Sequence, residues 1–84
     1  MDVKYLNYIL AIANRHNMTK AAEDLFVSQS SLSQYLSRLE QELGTPLFIR
    51  SKGELSLTSA GMLYVEAAQK VVKIQKDLYQ NIAA

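Results

Sequence analysis

Six of the seven residues from Ser28 to Gln34 are polar and uncharged: Ser28, Gln29, Ser30, Ser31, Ser33 and Gln34. A carboxamide can pair with adenine N6 and N7 at once, and a serine hydroxyl suits several base edges. At a helix start the same residues would stand among free N–H groups that attract phosphate. A Ser/Gln cluster more often just caps and solvates an exposed helix. From these residues alone both readings stand.

Basic residues surround the cluster. Arg38 can reach a backbone phosphate or pair with Glu42 at i+4. Arg50 and Lys52 are candidates for phosphate or minor-groove contact, with a structural salt bridge as the alternative for Arg50. Lys20 opens a short helical segment. Thr19, just before it, is expected to cap that helix first and donate to phosphate second. Lys70, Lys73 and Lys76 recur every three residues, the pattern of a solvated face.

Other chemistry finds no constellation. His16 is the single histidine and there is no cysteine, so no metal site of three or four ligands is expected. No serine has a base and an orienting acid at motif spacing. Gly53 and Gly61 stand alone and do not make a phosphate loop. The tyrosines suit core and interface roles, and no stacking platform for single strands is evident. Neither an enzyme nor a cofactor is implied.

The elements that must position these groups follow from pattern. The 84 residues allow one small domain, and 49% hydrophobic content supplies a core. The net charge of +1 permits a nucleic-acid partner without arguing for one. No apolar run reaches the ~20 residues of a membrane span. Asp2 and Asn7 interrupt any signal-peptide layout, so the expected setting is the cytoplasm.

Leu6, Ile9, Leu10 and Ala13 predict a first helix, capped by Asp2 and widened by Tyr5, Tyr8 and Ile12. A second runs from Lys20 to about Leu25. Its Ala21 and Ala22 let a neighbour approach, and Val27 plugs the bend after it. Ser28 caps a third helix to Leu43, with Leu32, Leu36, Leu39 and Leu43 as its buried stripe and Gly44 as its left-handed end. Two short helices joined by about three residues form a helix-turn-helix pattern. Residues 47–57 read as a small hairpin around Ser51-Lys52-Gly53. Thr58 caps a final helix from Ser59 to about Ile82. Two apolar stripes run along it, one through Tyr64, Ala67, Val71, Ile74 and Leu78, the other through Val65, Ala68, Val72, Tyr79 and Ile82. Together they exceed what the other helices can cover, so part should meet another chain.

With these residues in order, the chain resembles the DNA-binding domain of LysR-type transcriptional regulators along essentially its whole length. The resemblance is carried by residues 18–25 (MTKAAEDL), Val27-Ser28-Gln29, Leu32-Ser33, residues 39–44 (LEQELG), residues 46–50 (PLFIR) and residues 57–61 (LTSAG). It implies a mainly α fold: a winged helix-turn-helix of three helices plus a two-stranded wing in residues 1–58, then a long dimerising linker helix in 59–84. It further implies sequence-specific binding of double-stranded DNA at a roughly palindromic site, with helix 28–43 in the major groove. On that reading the DNA contacts come from Thr19, Lys20, Ser28, Gln29, Ser30, Ser31, Ser33, Gln34, Arg38, Arg50 and Lys52. Homodimer contacts come from Tyr64, Val65, Ala68, Val71, Val72, Leu78 and Tyr79. A small-molecule effector would bind a further domain that full-length members carry and these residues lack. Against the family pattern, Ser30 and Ser59 replace common prolines, Gln34 replaces a frequent basic residue, and the wing holds fewer arginines. A helical protein–protein module without DNA binding is the alternative, suited by the modest charge and the long apolar last helix.

Overall fold

The computed structural model describes residues 3–83. The elements, in order, are α1 (Val3–Arg15), α2 (Met18–Leu25), α3 (Gln29–Leu43), β1 (Phe48–Ser51), β2 (Glu54–Leu57) and α4 (Ser59–Ala83). This is the expected mainly helical fold with a two-stranded wing. The expected cap Asp2 lies outside the described residues. Along α1 the buried line is Leu6, Ile9 and Ile12. Leu10 and Ala13 are only half-buried, so Ile12 belongs to the centre of that face and not to its margin.

The cap of α2 is Asn17 and not Thr19. Asn17 is extended at φ −152°, and its Oδ1 accepts from the Lys20 N–H at 2.9 Å. Asn serves as well as Ser or Thr at this position, and the helix therefore opens two residues earlier than the sequence suggests. Thr19 is thereby freed for a different bond. Phe26 ends α2 in the left-handed region at φ 58°, and the Val27 N–H closes on the Ala22 carbonyl at 3.1 Å. That is the Schellman closure, here without its usual glycine. Ser28 then caps α3, its Oγ accepting from the Ser31 N–H at 3.1 Å. Gly44 closes the far end at φ 73°. Leu32 and Leu36 are buried, but Leu43 is 47% exposed. The stripe leaves the core where α3 outruns the helices beneath it.

The wing pairs Phe48 with Leu57, Ile49 with Ser56, Arg50 with Leu55 and Ser51 with Glu54. Lys52 and Gly53, at φ 52° and 78°, make the two-residue turn. Two positive φ values in succession match the twist of the flanking strands. Glu40 anchors the start of β1: its Oε2 accepts from the Leu47 N–H at 2.6 Å and the Phe48 N–H at 3.2 Å. Thr58 donates to the Pro46 carbonyl at 2.7 Å, and its Oγ1 accepts from the Gly61 N–H at 2.9 Å, capping α4. A two-stranded ribbon is marginal alone, and these bonds tie it to α3 and α4. The core beneath joins Ile9, Ile12, Ala21, Ala22, Leu32, Leu36, Leu47, Phe48 and Leu55.

Helix α4 packs on α1 and β2. Ala68 is 2% exposed. It is buried within the chain itself and has no surface left to offer a second copy, which corrects its assignment to a dimer interface. Further along, Ile74, Leu78, Tyr79 and Ile82 are 52–75% exposed. No helix among the described residues is long and apolar enough to cross a membrane.

Candidate nucleic-acid interface

The turn at Phe26 and Val27 separates α2 from α3 and leaves the start of α3 at the surface. Gln29, Ser30, Ser31 and Gln34 are exposed there and Ser33 is half-buried. The Ser28 hydroxyl is used inside the turn. It accepts from the Ser31 N–H and donates to Ser31 Oγ at 2.8 Å. Ser28 therefore offers the helix end, not a free hydroxyl. Thr19 Oγ1 donates to Gln29 Oε1 at 2.8 Å. This bond spans the two helices and fixes the carboxamide at the tip of α3 in one orientation.

A cleft of about 270 Å³ separates this tip from the wing, lined by Thr19, Gln29, Arg50 and Lys52 among others. Residues paired across a ladder share a face, so Arg50 lies on the same inner face as the buried Leu55. Its side chain leaves that face toward the cleft. Lys52 stands at the tip of the turn.

The ion pairs among the described residues are Arg15–Asp24 at 3.6 Å, Lys70–Glu66 at 3.5 Å and Lys73–Asp77 at 2.7 Å. Lys20, Arg38, Arg50 and Lys52 take part in none of them. Among the described residues Arg38 does not pair with Glu42, nor Arg50 with an acid. Unpaired, exposed cations keep their charge available to an anionic partner. Lys70 and Lys73 are paired along their own helix, as a solvated face predicts. Among the described residues no three His, Cys, Asp or Glu side chains group to hold a metal.

Beside the exposed face lies a feature that sequence reasoning left diffuse. Tyr35 of α3 stacks on Tyr5 of α1 at 4.8 Å, and Tyr8 meets both edge-on at 5.3 and 5.5 Å. Burial first, then Tyr64 and Glu42, push the Tyr35 hydroxyl up to about 12. Burial also raises Tyr64. The cluster braces α3 against α1, and both hydroxyls stay protonated near neutrality. Glu40 and His16 were likewise invisible as site-builders: their partners lie far off in sequence or on the backbone. The one local hint at His16 is its place at the end of α1.

Fold and surface define a winged helix-turn-helix protein with an uncharged polar tip flanked by exposed cations. The family model described as "Bacterial regulatory helix-turn-helix protein, lysR family" matches residues 3–62. The chain belongs to that family. It is 43% identical over 82 residues to the HTH-type transcriptional regulator YcgK of Bacillus subtilis (strain 168), covering 98% of this chain and 25% of that protein. Thus it spans about a quarter of such a curated relative. It is similar to the BenM DNA-binding domain in complex with benA site 1 DNA (TM-score 0.90, 28% identity, 99% of this chain and 96% of that one). It is also similar to the CbnR DNA-binding domain in complex with DNA (TM-score 0.83, 32% identity, all of both chains).

Proposed function

We propose that this chain is the sequence-specific, dimeric DNA-binding part of a bacterial transcriptional regulator, working in the cytoplasm without catalysing a reaction. The observation that carries the reading is the exposed start of α3, uncharged and polar, with Lys20, Arg38, Arg50 and Lys52 around it in none of the ion pairs among the described residues. Similarity to the BenM and CbnR domains, both solved with DNA, supports it. Residues 1–58 form the reading head and residues 59–84 the dimerising helix. The start of α3 enters the major groove, where Gln29, Ser30, Ser33 and Gln34 meet base edges and Arg38 the backbone. Lys20 and Lys52 take phosphates, Thr19 acts through the Gln29 carboxamide it holds, Ser28 and Ser31 hold the helix end toward the groove, and Arg50 acts from the cleft. On α4 the exposed ladder of Val71, Ile74, Leu78, Tyr79 and Ile82 meets a second copy, with Val72 at its edge. Tyr64 and Val65 lie where that ladder meets the core. An effector would act through a domain beyond these residues.

Two heads related by a two-fold axis read a roughly palindromic site, with major-groove contacts about 34–36 Å apart or a multiple of it. Selection from a random duplex library tests the reading directly. If about six phosphates are neutralised, affinity falls by about three orders of magnitude between 50 and 200 mM salt. Absence of salt-dependent binding to any duplex would overturn it in favour of a protein-binding module. Gln29→Ala is expected to weaken the selected site by about 1–3 kcal/mol and random duplex far less. Equal losses on both would remove Gln29 from base reading.

A further inference from the structure

His16 closes α1, its N–H donating to the Ile12 carbonyl at 2.9 Å. It is one of three described non-glycine residues at positive φ, at 54°, a conformation that few side chains other than Asn, Asp and His adopt readily. At that angle it meets the wing twice. The Leu55 N–H donates to the His16 carbonyl at 3.0 Å, and His16 Nδ1 lies 3.1 Å from the Leu55 carbonyl oxygen. A carbonyl can only accept, so Nδ1 carries the proton.

Antiparallel pairs alternate between those that exchange hydrogen bonds and those that do not. Both polar groups of Leu55 go to His16, so the pair Arg50–Leu55 is of the second kind, with its side chains in close approach. His16 thus acts as a one-residue third strand on the outer edge of β2. The residue directly across the ladder is Arg50.

We propose that His16 is the positioning residue of the wing: by gripping Leu55 on both polar groups it sets where Arg50 enters the cleft beside Gln29. The assignment rests on the DNA-binding reading above for its functional consequence, though not for the grip itself. Thr58 and Glu40 hold the base of the hairpin. His16 alone among the described hydrogen bonds holds its middle to the end of the first helix.

Two substitutions at His16, and one of them repeated in an Arg50→Ala background, test this. His16→Gly accepts the positive φ and keeps the backbone bond but loses the Nδ1 bond. His16→Asn also tolerates this φ and places an N–H donor on the same carbon that carries Nδ1. The structural readout is hydrogen exchange at the individual amides of Ser51, Leu55 and Ser56, followed by NMR. Leu55 donates to His16 itself, and the other two donate within the ladder on either side of the Arg50–Leu55 pair.

In His16→Gly those amides are expected to exchange about tenfold faster or more, as a locally loosened element does. Duplex affinity falls about three- to tenfold, the scale of one side chain that must be ordered on binding. His16→Asn restores both. In the Arg50→Ala background His16→Gly adds no further loss of affinity, because two residues acting through one contact are not additive. Unchanged exchange in His16→Gly, an Asn variant no better than the Gly variant, or equal losses with and without Arg50 would each overturn the assignment. A wild-type chain that binds no duplex overturns the DNA-binding reading instead, and the exchange data still decide whether His16 holds the wing.

Discussion

Tyr35 shows how a single residue ties α3 to its surroundings and what that implies for stability. Its hydroxyl ionises at about 10 in the unfolded chain and about 12 in the folded one. Between those values the folded chain holds more protons, so stability falls as pH rises through this window and is untouched by this group below it. The thermal midpoint, followed by circular dichroism, is expected to drop from pH 10 to 12. Tyr35→Phe should lessen that drop, while Tyr64, also raised, leaves a remainder. An equal drop in the variant would remove Tyr35 as a cause. At this scale the sequence was legible only where a residue acts on its own neighbours. Ser28 as a cap is an example, its bond reaching three residues on. Glu40, His16 and the tyrosine cluster act across folds of the chain, with separations such as 39 residues for His16 and Leu55, and local pattern carries no record of such partners. Thr19 fell between the two. A cap was rightly expected near it, but Asn17 competes for the same N–H groups and wins by position, standing just outside the first turn.

Among the elements, wing and α4 meet closely at Gly61. A methyl group on Gly61 would run into the Leu47 carbonyl oxygen and the Leu57 side chain. The obstacle is backbone that is itself held by Thr58 and Glu40, so it does not yield easily. Gly61→Ala is expected to cost about 1–3 kcal/mol, as overpacking does, measured as a lower urea midpoint with an unchanged slope. No loss would show that the wing shifts freely on α4. Helix positions, the hairpin and its turn were legible from periodicity and punctuation, because caps and glycines act locally. The extent of burial was not. Leu43 carries the right spacing for the α3 stripe yet is half-exposed, since spacing defines a face and only neighbours define where it is covered.

For the whole molecule the deciding feature is α4. The chain measures 46 × 25 × 19 Å, and the long dimension reflects a helix that outreaches the rest. The two apolar stripes were legible, but not which of them the chain itself would cover. Ala68 went to the inner seam, while Ile74, Leu78 and Ile82 stayed outside. Leu78→Glu is expected to convert a dimer to monomers in sedimentation equilibrium while leaving the helical content unchanged, because a charge at a buried apolar contact lacks a partner. A dimer that survives would place the interface elsewhere. The dimensions of α4 carry one more consequence. At 1.5 Å per residue its 25 residues reach about 37 Å. Since α4 is bedded on α1, the reading head and this shaft turn together. In the dimer proposed above, the pair would act as calipers: the crossing angle between the two α4 helices would set the opening of the tips, and a small change there would be magnified at the DNA. Half-site spacing would then be a property of helix packing far from any base.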